Sequence, residues 1–584
     1  MIKKVFRQML VTQIMSAMTV MICMLIDSIM IGRFLGVDSM TAYGLATPVL
    51  LVFAAFGSML AAGIQVHSGK AMGSGDMEET NAGFSSAVFL ATAVSAVGLV
   101  AVLVFLSPIC TLLGAGANTP DNVVFSLTGD YIKGFIIGAP AFIFAQIMVP
   151  YMQISGNRTR LVVAVAAMTV ADVVGDVLNV FVFKGGTLGM GLASSISYYI
   201  AFAIGAVYFL KKSCIFKFRP KLIRAKCSLG LLKYGVPTVI NQLCLVLLVF
   251  VLNKILLEVG QNNAVAAYSV ISTVGNICYC FGSGVASVAL LLSSIFYSDE
   301  DKSELRSLVK TMTFYAVVLD VIVIGVVLAA APLLVRLFLA DEPGAYDMAV
   351  LGARLFSLSL LPCALNTSFK NYYQGVNRTG FTQLISIMQN LAFPALFAFV
   401  LSRFAGTTGV WLGFVCGETL TLLIISAVVW IKNRKITFTP DAYSLLPADF
   451  GAKEGEYVEM SIDSVDSSVE ASVKASEFCR EHGEDKRTCS FIALCIEEMA
   501  NNIVLHGFTK DNKEHSVDIR LTFKDGRRVI RIRDNCVNFD PVKYIELHSN
   551  DDPASHIGIR MVMKMVKSAN YVNSLGLNNL TLVL

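Results

Sequence analysis

From about residue 6 to residue 430 the chain is a train of apolar runs of roughly 20 residues or more, and after about residue 435 the runs stop. At ~1.5 Å rise per residue such a run crosses the hydrocarbon core as a helix. Inside lipid the backbone must satisfy its own hydrogen bonds, so helices are the form available to these runs. Charged residues make up 15% of the chain, against about 25% in soluble domains. A membrane part followed by a chemically distinct polar part is expected.

Twelve spans are predicted, at 10–34, 43–69, 84–113, 127–153, 161–183, 189–210, 230–258, 265–296, 309–339, 350–373, 382–402 and 408–431. An even number puts both termini on one side. That side would hold Lys3, Lys4, Arg7, Lys70, Arg158, Arg160, Lys302, Arg306, Lys310, Arg378, Lys432, Arg434 and Lys435, together with the basic loop 211–226, which includes Lys211, Lys212 and Arg219. The other side would hold mainly Arg33, Lys184 and Arg403. The excess of Lys and Arg marks the first side as cytoplasmic, in the inner membrane. The first apolar run is longer than a signal-peptide core. The thirteen Cys are scattered through apolar runs with no CxxC or Cys/His ligand spacing and are expected to be buried thiols. No nucleic-acid partner is expected.

The two halves echo each other. GNRTR at 156–160 returns as VNRTG at 376–380, an offset of 220, and TAYGLATPV at 41–49 returns as AAYSVISTV at 266–274, an offset of 225. Parallel halves of this kind build secondary transporters, with substrate bound between them. The predicted units are 1–226, a six-helix lobe with its connector; 227–440, a second six-helix lobe; and 450–584, a soluble domain.

Acidic residues within a span cost about 2.5–3.5 kcal/mol each at mid-helix, so they call for a reason. Asp27 lies in span one; Asp172 and Asp176 lie in span five at i,i+4, on one helix face, with Asn179 further along that stripe. Paired carboxylates suit a cation, and their mutual repulsion favours a shared proton. Asn241, Gln242, Asn253, Asp320 and Glu418 are weaker candidates, because hydrogen bonding between helices explains polar residues as well as a ligand does.

The segment IDSIMIGRFLGVDSMTAYGLATPV at 26–49, the GSGD loop at 73–76, LLGA at 112–115 and LLKYGVPTVI at 231–240 resemble landmarks of the multidrug and toxic compound extrusion (MATE) family. The resemblance covers about residues 1–435. It implies a two-lobed, twelve-helix, V-shaped exporter of small organic compounds, driven by a Na⁺ or H⁺ gradient. It also implies an N-terminal cation site to which Asp27, Asp176 and Ser194 correspond, with Asp172 where the family usually has Asn. Lipid-headgroup flippases share the superfamily; such a flippase would need a cationic central cavity, and the spans show little inward Lys or Arg.

The polar part reads as an α/β sandwich. VEMSIDSVDSSVEASVKASEFCREHG predicts a strand and an amphipathic helix; DKRTCSFIALCIEEMANNIVLHGF predicts a second helix. HSVDIRLTFKDGRRVIRIRDN alternates apolar and polar residues about a Lys-Asp-Gly-Arg turn at 524–527, as a hairpin does. HIGIRMVMKMVKSANYV predicts a third helix and NNLTLVL a last strand. The order resembles the GHKL ATP-binding fold, closest to bacterial anti-sigma-factor serine kinases. That resemblance implies Mg-ATP, with Glu498 as general base, Asn502 on Mg²⁺, Asp534 on the adenine amino group and Gly558 near the phosphates. Cys536, Asn538 and His556 stand where the family has glycines, which allow positive φ and close approach. No GxxxxGK(S/T) motif occurs, so ATP is not expected to power transport. The domain would instead sense nucleotide or bind a cytoplasmic regulatory protein. The competing reading is a membrane-anchored serine/threonine kinase.

Overall fold

The computed structural model describes residues 2–115, 122–211, 214–336, 338, 343–447, 449–453, 455–510, 514–524, 526–547 and 557–584; Lys212, Asp525 and His556 lie outside them. The membrane part is helical throughout. Eight single helices long and apolar enough to span a bilayer run from Lys3–Leu35 to Lys302–Arg336, and two bent pairs, Val123–Ile136 with Ala139–Ile154 and Gly344–Ser357 with Leu360–Gly375, supply spans four and ten. The remaining stretch, Thr379–Asn433, turns at Gly406 (φ 58°) and so holds spans eleven and twelve. The twelve expected spans are therefore present among the described residues. The apolar helix Lys486–Gly507 also has the length of a span, but its buried face packs on the soluble sheet.

Span two, Val37–Gly73, carries the junction between the lobes. A Cβ on Gly63 would lie 2.2 Å from the Leu231 carbonyl oxygen, and one on Gly73 2.3 Å from that of Ile295. Only glycine permits this approach of helix backbones. Gln65 adds hydrogen bonds with Ser287 (3.2 Å) and Ser294 (2.6 Å). These contacts occupy the half of span two nearer the soluble domain. In its other half, Leu51, Val52 and Phe56 are exposed.

The soluble domain is an antiparallel sheet in the order β1-β2-β3-β5-β4, with β1 Tyr457–Ile462, β2 Val517–Lys524, β3 Arg527–Asp534, β4 Ser568–Ser574 and β5 Leu577–Val583. Alternation decides its two faces. Met460, Ile462, Val517, Ile519, Leu521, Ile530, Ile532, Leu580 and Leu582 meet the helices Val465–Glu481, Lys486–Asn502 and Ile557–Met565 in one core. The expected third helix is shorter than predicted: it stops at Met565, and Ser568–Ser574 forms a strand instead. Its Tyr and Val pair with β5 across a tight turn in which Leu575 (φ 60°) and Gly576 (φ 75°) are both left-handed, as a type I′ hairpin requires.

The opposite face of the sheet docks on the membrane part. Arg520 and Arg531 both donate to Asp301, Arg531 also to Asp299, and Arg533 to Glu304 (3.2 Å) and Asp299 (3.4 Å). Lys524 reaches Glu300 at 2.7 Å. Asp299, Glu300 and Asp301 lie between spans eight and nine and Glu304 in the first turn of span nine, in the second lobe. The first lobe is held by the β4–β5 tip: Leu575 N–H donates to the Ile154 carbonyl (2.6 Å), Arg158 to the Leu575 carbonyl (2.9 Å) and Asn570 to the Gly75 carbonyl (3.1 Å).

Candidate functional site

Spans one and five bring their acids together. Asp27 faces Asp176 and Ser194, while Asp172, one turn earlier than Asp176, faces Cys23, Ser194 and Ser197. All three carboxylates are buried, Asp176 completely. Ser197 donates to Asp172 at 3.1 Å. Asp27 Oδ1 and both oxygens of Asp176 are buried with no hydrogen-bond donor among the described residues. Buried polar atoms are nearly always paired, so acceptors left open at one point fit a bound proton or hard cation. Carboxylate and hydroxyl oxygens are the donor types such a cation takes. Both helices end just beyond the acids in a π-helical turn, Ile31–Leu35 and Asn179–Phe183, a distortion frequent at functional sites. Asn179 continues the stripe in sequence but serves the backbone. It accepts from Gly185 N–H (3.1 Å) and donates to the Gly186 carbonyl (3.0 Å), tying down the turn into span six.

The second lobe holds a buried polar network that single residues in the sequence barely announced. Asn366 donates to Glu418 Oε2 (2.8 Å) and Gln389 to Glu418 Oε1 (3.5 Å). Lys370 donates to Asn241 (2.6 Å) and Gln389 (3.3 Å). Lys370, 4% exposed, is a cation buried among these helices. Its partners come from spans seven and eleven, 129 and 19 residues away, so no local pattern revealed it. Asp320 is also buried, with Oδ2 unpaired among the described residues. Among the described residues Gln242 and Asn253 do not join the network. Near the lobe junction His67, Glu79 and Cys227 converge from three helices, a grouping that ligand spacing in the sequence does not show; Arg224 neutralises the neighbouring acids.

In the soluble domain the helix Lys486–Asn502 starts at an Asp485 cap and sets Glu498 and Asn502 one turn apart. Asn502 Nδ2 donates to the Glu498 carbonyl (2.7 Å). Gly558, in the first turn of the helix Ile557–Met565, lies so near that a Cβ there would sit 2.1 Å from Glu498 Oε2. Asp534 ends β3 at 5% exposure. Its Oδ1 accepts from Asn578 (2.8 Å) and from the Cys536 N–H (2.9 Å). Burial pushes the Asp534 carboxyl up, against those two donors. Neither Cys536 nor Asn538 has positive φ, so the missing glycines impose no backbone strain at these two positions. Asn538 accepts instead from Tyr571.

Comparison with known proteins matches both parts. The MatE family model covers residues 13–180 and 237–400, and the "Histidine kinase-like ATPase domain" model covers 464–584. The multidrug export protein MepA of Staphylococcus saprophyticus is 22% identical over 69% of this chain and 88% of its own length. The serine/threonine-protein kinase BtrW of Bordetella bronchiseptica is 35% identical over 98 residues, 16% of this chain and 66% of its own. The Vibrio cholerae MATE transporter VcmN in its bent form superposes with a TM-score of 0.67 at 19% identity, over 76% of this chain and 98% of that one. With both lobes and the soluble part accounted for, the chain belongs to the MATE transporter family and carries a GHKL-type, histidine-kinase-like ATPase domain after its last span.

Proposed function

We propose that the protein is a cation-coupled exporter of small organic, chiefly cationic, compounds across the inner membrane, with both termini cytoplasmic. In this reading Asp27, Asp172, Asp176 and Ser194 hold the coupling Na⁺ or H⁺, and its arrival or departure biases rocking of the lobes 1–226 and 227–440. The observation that carries the reading is the cluster of buried carboxylate oxygens without donors on Asp27 and Asp176. The name of MepA points the same way for substrate class. Asp176→Asn should abolish gradient-driven efflux from proteoliposomes; efflux at the unaltered rate would sink the site.

The soluble domain 450–584 would bind Mg-ATP, with Asn502 on the metal, Gly558 under the phosphates, Asp534 on the adenine amino group and Glu498 as base. Because the docked domain is bonded to both lobes, it must let go of one of them before the two can separate on that side. Nucleotide, or a cytoplasmic partner protein, would act by altering this docking. A second reading is favoured by the likeness to BtrW: the domain phosphorylates a Ser or Thr of a cytoplasmic protein. Radiolabelled ATP supplied to the full-length protein with cytosolic extract separates the two, since regulation without kinase activity leaves no labelled protein and no dependence on Glu498.

A further inference from the structure

A cavity of about 840 Å³ opens where span nine, the start of span one and the soluble domain meet. Lys302, Arg306 and Lys310 line it from successive turns of span nine, Lys3 from span one, and Lys453 with Tyr457 from the soluble domain. Five cations face one acid, Asp441, which is taken by Lys310 at 3.0 Å. Among the described residues Lys3, Lys302, Arg306 and Lys453 have no ion pair, unlike the arginines of the neighbouring docking surface. An uncompensated cluster of four cations calls for an anion.

The position of the cavity selects the anion. Phe314, Val317 and Val321 follow Lys310 at i+4, i+7 and i+11, on its side of the helix, and are 62%, 36% and 53% exposed. Apolar side chains this exposed on a spanning helix face lipid. Lys310 thus shares its face with the lipid-facing residues, Arg306 and Lys302 lie about 40° and about 80° round the helix from it, and the cations stand where span nine leaves the hydrocarbon. A ligand with a phosphate at one end and acyl chains at the other fits both. Basic pockets at the cytoplasmic ends of spans bind such headgroups.

We propose that this cavity binds the phosphate headgroup of an anionic phospholipid, with its chains along Phe314 and Val317 and the soluble domain as its roof. Lys453 and Tyr457 reach the cavity only from the docked domain, and Tyr457 also stacks under Arg520 of the docking surface (4.3 Å). The lipid would therefore join the membrane to the docked state of the domain.

The test is native mass spectrometry of the full-length protein delipidated and then titrated with phosphatidylglycerol or phosphatidylcholine, and separately with glycerol phosphate. Phosphatidylglycerol should be retained over phosphatidylcholine, and glutamine at Lys302 and Arg306 should weaken it about fivefold for each charge removed. K453Q, outside the spans, should weaken it as well while leaving the fold intact. Equal retention of the two lipids, or full retention by K302Q/R306Q and by K453Q, overturns the proposal. Competition by glycerol phosphate at the affinity of the lipid overturns the lipid source and assigns the cavity to a soluble phosphate. None of these outcomes bears on the carboxylate site of the first lobe, so the exporter reading stands or falls separately.

Discussion

Arg158 and Arg378, at equivalent places in the two halves of the internal repeat, each donate to the main-chain carbonyl of a left-handed leucine: Arg158 to Leu575 at the hairpin tip and Arg378 to Leu445 in the linker. The repeat thus supplies one anchor per lobe for the chain beyond span twelve. A charged donor to a buried carbonyl contributes about 1.5–3 kcal/mol. Arg158→Ala should release the hairpin tip from the first lobe while leaving the second-lobe contacts in place. Hydrogen exchange of Leu575 and of the β4–β5 strands checks this: faster exchange confined to that hairpin is expected, and unchanged exchange would show that the contacts with Ile154 and Gly75 hold the tip without Arg158.

Asp301 is fully buried between Arg520 and Arg531. Burial alone would raise its pKa, but Arg531 and Arg520 outweigh it and hold the carboxyl well below the ordinary value of 3.8. The docked state therefore binds fewer protons there than the undocked one. Docking gains from Asp301 above its undocked pKa and loses that gain as pH falls through the ordinary carboxylate range. Asp299 is opposite: burial outweighs Arg531 and Arg533 and pushes it up, so its contribution is present at low pH and lost as pH rises. Energy transfer between labels on the two parts should stay level or rise on mild acidification and drop below about pH 4. Asp301→Ala leaves two buried guanidiniums short of a partner, at a cost of about 3–5 kcal/mol, and should undock the domain at neutral pH.

The spans were legible because their apolar runs are long, and β2–β3 because it alternates about a Gly-containing turn. β4 was not. Its residues directly follow the helix Ile557–Met565, and the turn that separates it from β5 begins with Leu575, a residue no turn rule favours. The docking face was hidden for another reason. Arg520, Arg531 and Arg533 occupy the alternate positions that a solvated sheet face would fill with charge, so their pattern is the same whether water or Asp301 lies opposite. The first-lobe acids were visible one by one, and the i,i+4 pair in span five put two on a face. That Asp27 meets Asp176 while Cys23 meets Asp172 depends on the packing of two helices far apart in the chain.

Gly558 tests the nucleotide reading at one atom. A Cβ there would stand 2.1 Å from Glu498 Oε2 and 3.0 Å from its Cδ, so Gly558→Ala must displace the Glu498 carboxylate. Small-to-large changes of this kind cost about 1–3 kcal/mol, which the domain's separate core should survive. Loss of adenine-nucleotide affinity with the thermal transition of the soluble domain shifted by only a few degrees is the expected outcome. Affinity equal to the unaltered protein would mean that nucleotide, if bound, does not use this helix start.

Asp172 separates the two ways the first-lobe site can work. Its carboxylate is served by the Ser197 hydroxyl, whereas Asp27 Oδ1 and the Asp176 oxygens have no donor among the described residues. If Asp172 only orients the others, an amide does as well, because Asn offers the same oxygen to Ser197 and adds a donor toward neighbouring acceptors. If it takes up a coupling charge of its own, Asn removes one charge from each cycle. Asp172→Asn is therefore expected to keep efflux but to lower the number of cations exchanged per substrate, read as a shifted reversal potential in proteoliposomes with set gradients. An unshifted reversal potential with full efflux would assign coupling to Asp27 and Asp176 alone, while loss of all efflux would make Asp172 indispensable to the site and not an added charge.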